Sequence, residues 1–252
     1  MTWFVWRITL KTNDLLVKPN WDVSKDVKIL VTKKNFQLKK NFNLSYAKNK
    51  HIDTKKDRDY LNNIFPSIPH YIKQVHGNKV ICLEDNKKLS HVCDGIITKQ
   101  KNQVISVLTA DCIPIVISSL CGNVICILHV GRKGAEYNII DNAFKILKKY
   151  NYIYNAWIGP AISKQHYLVD NCIKNLFHNI DSQYSSFFCQ HNTNEKLFHM
   201  DLIGIASYQL SKNYVGKIVF SDLCTVKNNH DYYSYRLNSD SKRFGTFVWS
   251  EL

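Results

Sequence analysis

The stretch VLTADCIPIVI, Val107 to Ile117, is an apolar run with an aspartate and a cysteine set into its middle. Apolar runs of this length, rich in Val and Ile, read as buried strands. Asp111 and Cys112 interrupt that pattern. A neutral thiol costs nothing among apolar neighbours, whereas a carboxylate or thiolate there needs a compensating partner. Two readings are open. In one, Cys112 is a core cysteine beside an aspartate that caps a bulge. In the other, the strand opens at Ala110-Asp111 to aim a sulfur into a pocket, with Pro114 tolerated where pairing is disrupted.

Working outward, QVISVLTADCIPIVISS and NVICILHVG read as two buried strands joined by a turn at Gly122-Asn123. Upstream, HYIKQVHGNKVICLED reads as a hairpin about His76-Gly77-Asn78. TWFVWRITL and DVKILVTKKN look like strands, and DTKKDRDYLNNIF like a short helix capped by Asp53 or Thr54 and stopped at Pro66. In GAEYNIIDNAFKILKKY, Ala135, Ile139, Ile140, Ala143, Phe144, Ile146 and Leu147 fall on helical spacing, which predicts one amphipathic helix. Further on come a strand (NAWIGPAI), two helices (VDNCIKNLFHNI and DLIGIASYQLSKN) and two strands (KIVFSDLCTV and GTFVWS). The expected class is α/β (α+β): a single layered domain over residues 1–252, with mixed β-sheets flanked by helices and no repeat or linker.

Composition excludes several functions. No apolar run is long enough to span a bilayer, and MTWFVWRITLKTND has no signal-peptide pattern, so a cytoplasmic protein is expected. The net charge of +14 invites a nucleic-acid reading, but the lysines are dispersed rather than gathered into a stripe. Eight cysteines in a chain of this size do not make a disulfide scaffold, and none form a C-x-x-C pair. Cys121 and Cys126 read as small core hydrophobes.

His76 in QVHG and His129 in LHVG each follow an apolar run and precede a glycine, which places both imidazoles at strand ends. With Cys112 they make a ligand set suited to catalytic zinc, which keeps one position open. In HVGRKGAEYN, Arg132 and Lys133 lie between two glycines ahead of a helix, where backbone N–H groups and cationic side chains could meet an anion.

The chain resembles the multicopper polyphenol oxidase (laccase-domain) family, also described as purine nucleoside phosphorylase-like proteins and peptidoglycan editing factors. The likeness is carried by NLSYAKNK, IKQVHGNKV, DGIITKQKNQVISVLTADCIPIVI, ILHVGRKGA, WIGPAIS, HMDL and YYSYRLNSDSKRFGTFVW, in that order. It implies that the His of Q-x-H-G, the Cys of T-A-D-C-x-P and the His of H-x-G-x-x-G bind Zn2+, here His76, Cys112 and His129. It further implies a zinc-dependent enzyme acting on adenosine, inosine and methylthioadenosine, by phosphorolysis and by adenosine deamination. Asp111 would shuttle a proton, orient a ligand or cap the bulge. Arg236, at the S-Y-R position, would join Arg132 and Lys133 in a phosphate cradle, with Gln74 and Tyr235 as further substrate-binding residues and Tyr233 beside them. The expected partners are small molecules, a purine nucleoside and phosphate, with no nucleic acid, no membrane and a monomeric chain.

The resemblance leaves other functions open: an amidase editing peptidoglycan precursors, a copper-dependent polyphenol oxidase, or a degenerate nucleotide-binding protein. Copper ranks below zinc because no two of the ten histidines form an H-x-H pair. The chain also departs from the family pattern. Arg132-Lys133 stands where the family has Trp-Arg, and lysine lacks the flat fork of arginine. Gln165 and His166 replace two cysteines, and Leu168 replaces a glutamate.

Overall fold

A computed structural model describes residues 16–37, 39–45, 54–84, 92–239 and 241–252. The opening strand expected in TWFVWRITL and a cap at Asp53 lie outside these residues.

The strands are β1 (Leu16–Val17), β2 (Val27–Val31), β3 (Val80–Cys82), β4 (Gly95–Thr98), β5 (Ile105–Thr109), β6 (Ile113–Ser119), β7 (Ile125–Val130) and β8 (Tyr154–Ile158). They continue with β9 (Leu168–Asp170), β10 (Phe188–Gln190), β11 (Leu197–Met200), β12 (Ile218–Phe220) and β13 (Phe244–Ser250). The helices are α1 (Thr54–Asn62), α2 (Arg132–Glu136), α3 (Ile139–Leu147), α4 (Asn171–Ile180), α5 (Leu202–Lys212) and α6 (Tyr235–Asn238).

The described residues form three sheets. A mixed six-stranded sheet runs β12-β8-β6-β7-β4-β3, a four-stranded antiparallel sheet runs β1-β2-β13-β5, and a small antiparallel sheet runs β10-β11-β9. The expected mixed α/β class is what the chain adopts.

Side-chain alternation builds the layers. Ile113, Ile115 and Ile117 of β6 face Ile139, Phe144, Ile205 and Leu210 of the helices. Val116 of β6 and Ile127 of β7 face the other way, toward Ile29, Val107 and Val248 of the four-stranded sheet. That sheet's outer face carries Leu30, Leu108 and Phe247, which α1 and a preceding loop cover through Leu61, Phe42 and Leu44. The central strands are thus buried on both faces, which is why they read as continuous apolar runs.

The segment expected as a single buried strand, QVISVLTADCIPIVISS, is two strands in two sheets. β5 pairs with β13, and β6 pairs with β7 and β8. The chain crosses between sheets at Ala110-Asp111-Cys112, with Asp111 at φ 88°. Pro114 lies inside β6, where its carbonyl accepts the N–H of Gly159 beyond the end of β8. Pro114 is paired with His129 of β7, and its missing N–H falls on the β8 side, where the register begins only at Ile115.

Other expectations need correction. The runs about His76 do not form a hairpin. β3 pairs in parallel with β4, while His70 and Lys73 make single bridges to Ile105 and Val92. The expected amphipathic helix is split into α2 and α3 by Asn138 at φ 54°, a conformation asparagine tolerates. Cys121 is exposed at the β6–β7 turn, whereas Cys126 is fully buried. The small sheet falls in text read as helix or left unassigned.

Candidate metal and substrate site

The crossover between sheets places Cys112 just ahead of β6, beside His129 near the end of β7. His76 arrives from the loop before β3. One donor atom from each of the three lies within 4.8 Å of the others, a grouping found once among the described residues. The two imidazole rings meet edge to face, 4.7 Å between centroids.

A buried carboxylate organises this trio. Asp94, with no exposed surface, accepts a hydrogen bond from Nδ1 of His129 at 2.8 Å and backbone hydrogen bonds from Val75, His76 (3.0 Å) and Gly77 (2.8 Å). Because Asp94 takes these backbone donors, the loop wraps around its carboxylate with His76 at φ 58° instead of forming a hairpin. With Nδ1 engaged, Nε2 of His129 is the nitrogen left to face Cys112. A ligating histidine that gives its other N–H to a carboxylate is a recurrent arrangement in metal sites. Asp94 was missed from sequence because it is 35 residues from His129; the signal available was the requirement of a ligating histidine for such a partner.

Electrostatics favour the metal-ready state of the sulfur. Burial opposes a thiolate at Cys112, but the charge of His129 and hydrogen bonds from His129 and His76 outweigh it and bring the thiol down to about 6. Burial likewise opposes charge on His129, yet Cys112 and Asp94 raise it to about 9. By contrast, burial first, with the charge of Asp94 acting in the same sense, pushes Cys93 up to about 11.

Space is reserved for the trio. A Cβ on Gly131 would stand 2.9 Å from Sγ of Cys112 and 3.2 Å from a carbon of the His76 ring. The residues present therefore fit a metal ion: a two-imidazole, one-sulfur donor set, an orienting carboxylate and a side-chain-free neighbour.

All three donors line a cavity of about 1330 Å³. Arg132, Lys133, Gln74, Asp111, Tyr235 and Arg236 line it too, so the site residues singled out from sequence converge on one space. They are engaged in different ways. Both amide atoms of Gln74 are bonded to the backbone of Leu108, at 2.8 Å each, which makes it a brace of the cavity wall. Arg132 pairs with Glu136 at 2.7 Å, and Lys133 is exposed; both sit inside the first turn of α2 rather than ahead of it. The Asp111 carboxylate accepts from Oγ1 of Thr225 (2.5 Å) and from the backbone N–H of Arg236 (2.7 Å). It thus ties the sheet crossover to the start of α6. Tyr235 is exposed, with the Arg243 guanidinium 6.0 Å from its ring centre. Tyr233 is buried among the inter-sheet core. Arg243, Thr225 and Tyr167 are cavity or supporting residues that spacing arguments missed, since they lie far along the chain from the trio.

No described helix is long and apolar enough to cross a membrane. Among solved structures, a Neisseria meningitidis protein superposes with a TM-score of 0.81 at 21% identity, over 94% of this chain and 100% of that one. YlmD from Geobacillus stearothermophilus superposes at 0.80 and 18% identity, over 94% and 99%. These likenesses concern the fold. Among curated relatives, the purine nucleoside phosphorylase YfiH of Escherichia coli (strain K12) is 26% identical over 199 residues, 79% of this chain and 81% of its own length. The purine nucleoside phosphorylase of Haemophilus influenzae is 24% identical over 242 residues, 93% and 99% of the two chains. The sequence profile described as multi-copper polyphenol oxidoreductase laccase matches residues 31–251, a span that runs from β2 to β13 and holds every donor of the trio, and the chain belongs to that family.

Proposed function

We propose that this chain is a zinc-dependent purine nucleoside enzyme that acts on adenosine, inosine and methylthioadenosine by phosphorolysis and deaminates adenosine. The observation that carries this reading is the His76, Cys112 and His129 donor set opening into the same cavity as Arg132, Lys133 and Arg236. Relatives named purine nucleoside phosphorylases support the substrate class.

In this reading His76, Cys112 and His129 hold the ion, and Asp94 fixes the ring of His129. A zinc ion bound there supplies Lewis-acid polarisation at the reacting atom. Arg236, Arg132 and Lys133 give the cavity a cationic side for phosphate, and Asp111 positions Arg236 by holding its backbone N–H. Tyr235 borders the space for the purine. Zinc is preferred to copper because the sequence lacks the paired histidines of multicopper centres.

The test is incubation of purified protein with adenosine, with and without phosphate, beside a Cys112→Ala control. Inosine without phosphate, and adenine plus ribose 1-phosphate with it, are expected from the unmodified protein alone. Product levels equal to the control would overturn the reading.

A further inference from the structure

Tyr167 borders the cavity beside Arg236. It stands between a single helical turn (Lys164–His166) and β9. Its backbone is fixed at both ends: its N–H donates to Lys164 at 3.2 Å, and its carbonyl accepts from Met200 at 2.9 Å. One side of the ring packs on the helix-side core. The Arg236 guanidinium lies over the ring, 5.0 Å from its centre, and one of its N–H groups donates to the Leu168 carbonyl at 3.0 Å. Stacking and that hydrogen bond fix the plane of the guanidinium and leave its other N–H groups available.

The Tyr167 hydroxyl, by contrast, makes no hydrogen bond among the described residues. A tyrosine hydroxyl keeps its proton at neutral pH, so it is a donor. Both Arg236 and Arg132 carry their charge close enough to act on it. An unused O–H donor on a ring that also seats an arginine is suited to an anion, because a single oxygen-rich group can take both donors.

We infer that Tyr167 is a phosphate-binding residue, its ring seating Arg236 and its hydroxyl donating to the inorganic phosphate consumed in phosphorolysis. This rests on the nucleoside reading above for the identity of the anion.

Inorganic phosphate is titrated calorimetrically into the full zinc-loaded chain, and the ratio of adenosine phosphorolysis to deamination is measured in parallel. Tyr167→Phe keeps the ring and removes the donor. Its phosphate Kd should rise about tenfold or more, the loss of one hydrogen bond to a charged group, and the ratio should fall by a similar factor. Tyr167→Leu removes the seat as well and should weaken phosphate further. Melting temperature and zinc content of the Phe variant should match the parent. Equal phosphate affinity in parent and Phe variant, or no phosphate binding by the parent, overturns the inference. Phosphate binding that depends on Tyr167 in a protein that turns over no nucleoside supports the seat and sinks the nucleoside reading alone.

Discussion

Asp94 accepts the Nδ1 hydrogen bond of His129 at 2.8 Å and, through the same carboxylate, the backbone N–H of His76 at 3.0 Å. One buried side chain therefore sets the direction of two of the three donors. Asp94→Asn replaces one acceptor oxygen by an NH2 group that must face an N–H donor. Zinc affinity should fall about 10- to 100-fold, the usual cost of losing such a partner. Competition with a chromophoric chelator measures this, with circular dichroism to check that the fold persists. An unchanged affinity would mean that Asp94 serves only the loop.

Gly131 has φ −88°, which any residue adopts, so its substitution tests space rather than backbone strain. The methyl of Gly131→Ala would meet Sγ of Cys112 at 2.9 Å, closer than a Cβ can approach. The variant should fold, because β7 and α2 are untouched, but should lose metal and activity at least about tenfold. A fully metallated, active variant would show that the sulfur can move aside without consequence.

The Cys112 thiol titrates low, at about 6, so in chelator-treated protein it is a thiolate over the whole neutral range. The sign follows: a depressed value means that reactivity is lost only as pH falls through about 6, whereas an ordinary cysteine loses it below about 8.5. Alkylation followed by mass spectrometry of the Cys112 peptide should show that midpoint, with exposed Cys172 and Cys189 as internal references. Added zinc should protect Cys112 but not the other two. A midpoint shared by all three would contradict the thiolate assignment.

Asp111 separates two chemistries. Its oxygens accept from Thr225 and from the backbone of Arg236, and the expectation that follows is a positioning role rather than proton transfer. Asp111→Asn should leave zinc content near that of the parent and raise the phosphate KM about tenfold, with the shape of the pH–kcat profile retained. Loss of one limb of that profile would instead assign Asp111 to proton transfer.

Most of the layered core was legible because β6 and β7 are buried on both faces and carry uninterrupted Val/Ile/Leu text. The trio stood out because Cys112 breaks an apolar run and His76 and His129 follow such runs, and the family resemblance then pointed to all three as ligands. What escaped depended on partners distant in sequence. The crossover at Asp111 looks like a bulge until β13 is known to claim β5. The loop about His76 looks like a hairpin until Asp94 is known to take its N–H groups. Asn138 splits a helix whose apolar spacing runs on almost unbroken, because periodicity records which face is buried and not whether the backbone is continuous. The three short strands of β9, β10 and β11 are too brief to show a period at all.

The most direct test is the metal content of the chain purified without chelator, determined by elemental mass spectrometry beside Cys112→Ala. About one zinc per chain is expected, falling below a tenth of that in the variant. Parent protein that carries no metal, or that carries stoichiometric copper with a visible absorption band, would contradict a zinc ion held jointly by His76, Cys112 and His129.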